Sequence, residues 1–379
     1  MIDKGFNPGT QNYNCRSVLV IAEIGTGHGG DIEKGRELID AAIDAGADCV
    51  KFQHVYADEI IHPATGLVPL PGGPTRLYDR FRSLETSHEF LGLMKQAVEA
   101  RGALFLCTPF GPRSARELRG LGVSAMKVAS PELNYVQLLD EIASYHLPTV
   151  LSSGVSTLAD IEYAVSRFAI DPDRLAVLHC VTAYPAPETD YNVRILGSLS
   201  ALLGVAVGIS DHSMDPILVP ALSVASGASI VEKHICLSRH DDGLDDPVAL
   251  EPQDFARMTR AIRMAERGEP AETIRALADD YGLERVESTL GDGRKRLAES
   301  ERANYDRTNR SIHARRPIAR GEPLSESNLA ILRTEKVLRP GLQPRLLPVI
   351  LGRQAVRDVP DGQGLEWADV GGPIGGPSI

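Results

Sequence analysis

Residues 208–212 read Gly-Ile-Ser-Asp-His and residues 231–234 read Val-Glu-Lys-His. Each run is made of small and β-branched residues and ends abruptly in ionisable side chains. A barrel strand has this character where its buried body gives way to an active-site rim. Two adjacent strands would thus deliver His212 and His234 to one mouth. Neutral imidazole is a common ligand for divalent transition metals, and a pair of them leaves coordination positions open for water or a substrate oxygen. Either histidine alone reads as well as a hydrogen-bonded core residue. The pair points to a metal.

Working outward, the same beat of strand then helix recurs. Strands read at 18–25, 48–53, 104–110, 125–130, 149–154, 175–181, 205–212 and 229–235, separated by segments of helical periodicity such as 31–45, 87–102 and 158–169. Eight such beats over about 250 residues predict an α/β fold of the (β/α)8, or TIM-barrel, type. An open doubly wound sheet is the alternative. Its phosphate fingerprint G-x-G-x-x-G is missing, because Gly-Thr-Gly-His-Gly-Gly at 25–30 has its glycines at other offsets.

In a TIM barrel the chemistry sits where the strands end. Here the strand ends carry Glu23, Lys51 and Gln53, Thr108, Lys127 and Ser130, Ser152 and Ser153, Thr182 and Tyr184, Ser210 to His212, and Glu232 to His234. Any one of these reads as a solvated rim residue; all of them at one face read as a site. Lys51 and Lys127 lie inside apolar runs, where a cation is costly to bury without an anionic partner. With the hydroxyls of Thr108, Ser152 and Ser210 they form the kind of nest that holds phosphate or carboxylate. A Schiff-base lysine of depressed pKa is the other chemistry open to them.

Composition bounds the function. A net charge of -11 leaves no basic stripe for non-specific nucleic-acid binding. No apolar run is long enough for a bilayer and no secretory signal is visible, so a cytoplasmic protein with no membrane contact is expected. The five cysteines, Cys15, Cys49, Cys107, Cys180 and Cys236, are odd in number and scattered, which suits reduced thiols.

The runs AEIGTGHGG, GADCVKFQ, CTPF, KVAS-x-E, LSSGV, LHCVTAYPAP, GISDHS, EKHICL and DDGLDDPVALEP, in this order and spacing, resemble the sialic acid synthases. That family condenses phosphoenolpyruvate with a hexosamine to give a nonulosonic acid. The resemblance implies Mn2+, or another divalent ion such as Mg2+ or Co2+, on His212 and His234. It implies that Lys51, Thr108, Lys127, Ser152, Thr182 and Ser210 embrace phosphoenolpyruvate, and that Glu23, Gln53, Glu132, Tyr184 and Asp245 face the reacting centre and the sugar. Glu23 is the first candidate to stabilise an oxocarbenium-like centre, with Glu132 or Asp245 as the second acid or base.

Two departures stand out. Where the family usually has Asn-His and Pro-Asp-His, this chain has Gly27-His28 and Leu244-Asp245-Asp246, both where the sugar would be read.

The barrel is expected over 1–268, followed by a charged linker over 269–308 and a small β-rich domain over 309–370, with 371–379 as a disordered tail. Residues 317–329 and 358–370 form a weak repeat with matching turns at Gly321 and Gly362. This region resembles the antifreeze-like, or SAF, domain of the same family. The resemblance implies a domain-swapped homodimer in which Arg339 reads the partner's sugar. A non-catalytic carbohydrate-binding protein on the same frame is the rival reading, as is a related synthase acting on a phosphorylated sugar, for which the only arginine cluster is Arg76, Arg80 and Arg82.

Overall fold

The computed structural model describes residues 5–9, 17–70, 73–335 and 337–373. Cys15 and residues 374–379 lie outside them. Eight parallel strands form the body: β1 (Leu19–Gly25), β2 (Cys49–His54), β3 (Leu104–Pro109), β4 (Met126–Val128), β5 (Thr149–Ser152), β6 (Leu175–Cys180), β7 (Ala206–Asp211) and β8 (Ile230–His234). Hydrogen bonding runs in the order β3-β2-β1-β8-β7-β6-β5-β4, and β3 lies beside β4 to close the barrel. The TIM barrel expected from the eight beats is therefore present.

Period-two alternation explains what each strand residue does. Leu19 and Ile21 of β1, Cys49 of β2, Leu106 of β3, Val150 of β5, Leu178 of β6 and Ile230 of β8 share one apolar cluster, and Phe6 joins it from the N-terminal segment. Their out-of-phase neighbours, such as Val20, Val50, Val177 and Val231, belong to the larger layer shared with the helices. Both strand faces are buried, so the strands read as continuous apolar runs. Gly208 answers a local need: a Cβ there would stand 2.3 Å from the Ile230 carbonyl oxygen and 2.8 Å from Leu178.

The helices have ordinary local causes. Ile32–Asp44 starts at Asp31, whose side chain accepts from the Lys34 amide, and buries Leu38, Ile39 and Ala42. His88–Ala100 is capped in the same way by Ser87. The segment expected as a charged linker begins with two further helices, Pro270–Tyr281 and Leu283–Leu290, which pack on the barrel helix Leu218–Ala225 and bury Leu277, Val286 and Leu290. Its first half therefore belongs to the barrel's outer layer.

The C-terminal region pairs β9 (Arg310–Ala314) with β10 (Leu329–Arg333), and β11 (Arg353–Ala355) with β12 (Val370–Pro373), both antiparallel. The repeat is real in space: Ile318 and Val359 bridge each other, and Gly321 and Gly362 both turn through positive φ, 85° and 73°. The expected tail is corrected in part, since 371–373 extend β12 where β11 offers ladder partners.

Three buried histidines stay neutral. His28 is pushed down to about 4, His179 to about 3 and His313 to about 4, in each case mainly by burial. Below their ordinary value of 6.5 the unfolded chain takes up protons that the folded chain refuses, so stability falls as pH drops. Denaturant unfolding should lose stability steadily from about pH 6.5 towards pH 4. A flat profile across that window would contradict the neutral assignment.

Candidate active site

The alternation that packs the barrel also builds the mouth. Continuing the inward phase past Leu19 and Ile21 gives Glu23. The same count gives Lys51 and Gln53 after Cys49, Thr108 after Leu106, Lys127 after Ala125, Ser152 after Val150, Cys180 after Leu178, Ser210 after Gly208, and Glu232 and His234 after Ile230. Phase also explains which strand-end groups are not in the mouth. Asp211 and Lys233, one residue out of step, form a buried pair of 2.6 Å that also engages Ser213. Ser153 likewise donates to the Leu178 carbonyl.

At the centre Lys51 Nζ stands 2.8 Å from Glu23 Oε2 and 3.0 Å from Glu232 Oε2. Glu23 also accepts from Gln53 Nε2 at 2.8 Å. Lys127 Nζ donates to Ser152 Oγ at 2.6 Å and lies 3.6 Å from Glu232, which accepts from Ser210 Oγ at 3.0 Å. All of these charged groups are buried. Burial alone would raise the Glu232 carboxyl, but Lys127, Lys51 and the Ser210 hydroxyl bring it down to about 2. Burial, with help from Lys127, brings Lys51 down to about 8 against the pull of Glu232. At about 8 Lys51 is still mostly an ammonium at neutral pH and is ion-paired with both carboxylates, although the depressed value keeps Schiff-base chemistry open to it. Among the described residues the hydroxyls of Thr108 and Thr182 are buried without a protein partner, which leaves them free for a ligand's oxygens.

The histidines meet beside this cluster. The rings of His212 and His234 are 5.6 Å apart, and Tyr184 stacks on His212 at 4.3 Å. His212 Nδ1 lies 2.8 Å from the Val181 carbonyl oxygen, a bond it can make only as an N–H donor, so Nε2 keeps its lone pair when the ring is neutral. Burial first, then His212 and Lys51, hold His234 well below its usual pKa, which leaves that imidazole neutral, whereas His212 is raised, its burial outweighed by Cys180, the Val181 carbonyl and Asp211. Asp245 reaches to 3.9 Å from His234 Nδ1, and burial pushes its carboxyl up to about 6. Among the described residues no three His, Cys, Asp or Glu groups gather at ligand spacing. Two imidazoles with Asp245 nearby therefore fit an ion that keeps open positions, and do not fit a closed structural site.

Two expected site residues are engaged elsewhere. Glu132 is fully buried, and its Oε1 takes Arg310 at 2.8 Å and Arg333 at 2.7 Å, both from the C-terminal domain. A carboxylate oxygen already taken by two guanidiniums from another domain is poorly placed to exchange a proton in the mouth, which leaves Asp245 as the acid–base candidate. Arg339 is bound within its own domain, to the Gly364 carbonyl at 2.7 Å, Asp369 at 2.7 Å and Glu366 at 3.2 Å. The arginines that reach Glu132 are Arg310 and Arg333. Sequence reasoning passed over them because nothing local separates them from other arginines. Glu232, noted only as a strand end, bridges both lysines; its inward phase was the available signal.

Residues 38–270 match the NeuB family, and residues 309–371 match the SAF domain. The spore coat polysaccharide biosynthesis protein SpsE of Bacillus subtilis is 32% identical over 357 residues, spanning 93% of each chain. Its crystal structure superposes with a TM-score of 0.77 over 93% of this chain and 95% of that one, at 31% identity. The N,N'-diacetyllegionaminic acid synthase of Legionella pneumophila is 29% identical over 378 residues, 97% of each chain. A pseudaminic acid synthase of Campylobacter jejuni is 30% identical over 367 residues, 94% of this chain and 98% of that one.

The chain belongs to the NeuB family.

In this NeuB-family protein the two departures noted in the sequence are neighbours in space. A Cβ on Gly27 would stand 3.3 Å from Asp246 Oδ1. Asp246 is buried, accepts from the Gly243 amide at 2.8 Å and is pushed up mainly by burial. The lost side chain at 27 and the carboxylate at 246 form one altered patch beside Asp245.

Glu232→Gln should destabilise the protein by about 3 kcal/mol, because it leaves two buried lysines short of a counter-charge. Inorganic phosphate should restore more stability to this variant than to the wild type. Denaturant unfolding with and without phosphate checks it; equal responses would remove Glu232 from the role of internal counter-ion.

Proposed function

We propose that this protein condenses phosphoenolpyruvate with an N-acyl hexosamine or a related amino sugar, giving a nonulosonic acid and phosphate for surface polysaccharide. The observation that carries this reading is the buried Lys51–Glu232–Lys127 cluster with its ring of hydroxyls, set beside two histidines whose rings lie 5.6 Å apart. The names of its relatives, synthases of legionaminic and pseudaminic acid and a spore coat polysaccharide protein, support the same class.

Phosphoenolpyruvate would lie with its anionic groups on Lys51, Lys127, Ser152, Ser210, Thr108 and Thr182. Its C3 forms the new bond to the sugar's aldehyde carbon, whose oxygen becomes a hydroxyl on taking a proton. Water adds at C2, and phosphate leaves as the C–O bond breaks. Glu23, held by Lys51 and Gln53, would place its carboxyl beside the centre where positive charge develops. Asp245, with its raised pKa, suits proton exchange with the hydroxyl or the water. A divalent ion, Mn2+ or alternatively Mg2+ or Co2+, would sit on His212 and His234 and polarise the aldehyde oxygen. The lysines are already matched by Glu23 and Glu232, so a multiply charged anion gains from that added cation.

The C-terminal domain meets the barrel through Glu132, Arg310 and Arg333. A swapped homodimer would make these same contacts with the partner's barrel.

The test is phosphate release from phosphoenolpyruvate with Mn2+ across N-acyl hexosamines, diacylamino sugars and phosphorylated sugars. Release with one non-phosphorylated amino sugar, lost with chelator and in His212→Ala by at least about 100-fold, is expected. Release with no sugar at all, despite tight binding of phosphoenolpyruvate, would sink the synthase reading.

A further inference from the structure

The segment between helix Leu283–Leu290 and β9 holds a buried carboxylate that composition and motif gave no reason to notice. Glu301 is 1% exposed and makes no ion pair among the described residues. Its Oε1 accepts from the Val155 amide at 2.7 Å and from the Thr182 amide at 2.8 Å, and its Oε2 from the Ala298 amide at 3.2 Å. Asn304 Nδ2 donates to the Thr182 carbonyl at 3.3 Å and Asn309 Nδ2 to the Val155 carbonyl at 3.0 Å. Every main-chain polar group of Val155 and Thr182 is thus taken by a side chain of this one segment.

The two loops so joined follow β5 and β6, and they carry site residues. Val155 is a buried β-branched residue at φ 44°, a conformation that costs free energy unless its surroundings enforce it. It follows Gly154, where a Cβ would stand 2.1 Å from Thr182 Oγ1 and 2.9 Å from Ser130 Oγ, so the loops meet at backbone distance. Thr182 carries one of the unpartnered hydroxyls of the mouth, and two residues on Tyr184 stacks on His212.

We infer that Glu301 is a positioning residue: its carboxylate ties the loop at Val155 to the loop at Thr182, and so sets the Thr182 hydroxyl against the bound anion and Tyr184 against His212. The tie itself stands on geometry alone; its effect on phosphoenolpyruvate rests on the function proposed above. Charge-assisted bonds from two amides to one carboxylate oxygen are strong enough to hold a strained residue in place. The chain reaches Arg310 only nine residues after Glu301, so docking of the C-terminal domain and the posture of these loops share one tether.

The experiment uses the full-length chain and the variants Glu301→Ala and Glu301→Gln. Amide hydrogen exchange is followed in segments 152–158 and 180–186, and phosphoenolpyruvate binding is measured with Mn2+. Loss of the carboxylate should speed exchange at Val155 and Thr182 by about 10- to 100-fold and weaken phosphoenolpyruvate about 10-fold, with exchange elsewhere in the barrel unchanged. Glutamine keeps the oxygen that serves both amides and should recover most of both losses. Unchanged exchange in Glu301→Ala would overturn the tie. Faster exchange with wild-type affinity for phosphoenolpyruvate would reduce Glu301 to a structural brace and overturn its positioning role. If the wild type itself fails to bind phosphoenolpyruvate, the proposed function falls, and the exchange data alone decide the tie.

Discussion

Glu232 stands between two buried lysines, and the mouth of the barrel is arranged around that contact. Two ammonium groups cannot share a low-dielectric interior without an anion between them. Glu232 supplies it in the absence of any ligand, and Glu23 adds a second carboxylate on the other side of Lys51. The cluster is therefore preformed and close to neutral. A substrate anion entering it does not meet bare cations. It would compete with internal carboxylates for the lysines, and an ion on the imidazole pair beside them is where the balancing positive charge would come from. This internal neutrality is what allows a chain of net charge -11 to keep lysines at the bottom of a mouth at all.

The barrel was legible because its constraint is local and periodic. Strands buried on both faces must be apolar throughout, so the polar residue that ends each run is conspicuous, and phase decides whether it enters the mouth. Glu23, Lys51, Lys127, Ser152 and Ser210 follow that rule. Asp211 and Lys233 show its limit: read as strand ends they looked functional, yet one step out of phase puts them in a structural pair behind the sheet. Counting the alternation from Ile230 would have separated them and would have raised Glu232 to the first rank.

What the sequence did not disclose depends on contacts between distant segments. Glu132 carries a motif position that suggested chemistry, but two arginines some 180 and 200 residues later claim its carboxylate and make it a docking point, with Arg310 3.1 Å from the Ile60 carbonyl and 2.7 Å from that of Phe110. Arg339, expected to read a sugar, finds Asp369 and Glu366 nearer at hand in its own domain. Glu301 lies in a stretch that reads as solvated linker. Only the fold shows that its neighbours are two loop amides of the barrel. Burial of a charge is a tertiary property, and no window of sequence reports it.

On the reading proposed above, a charge-neutral lysine–carboxylate cluster accepts a multiply charged anion with the help of a divalent ion on His212 and His234. Calorimetric titration of phosphoenolpyruvate into the protein, with chelator and with Mn2+, tests it most directly. Binding should be at least about 10-fold tighter with the ion, with the coupling lost in His212→Ala. Equal affinity in chelator and in Mn2+ would contradict it.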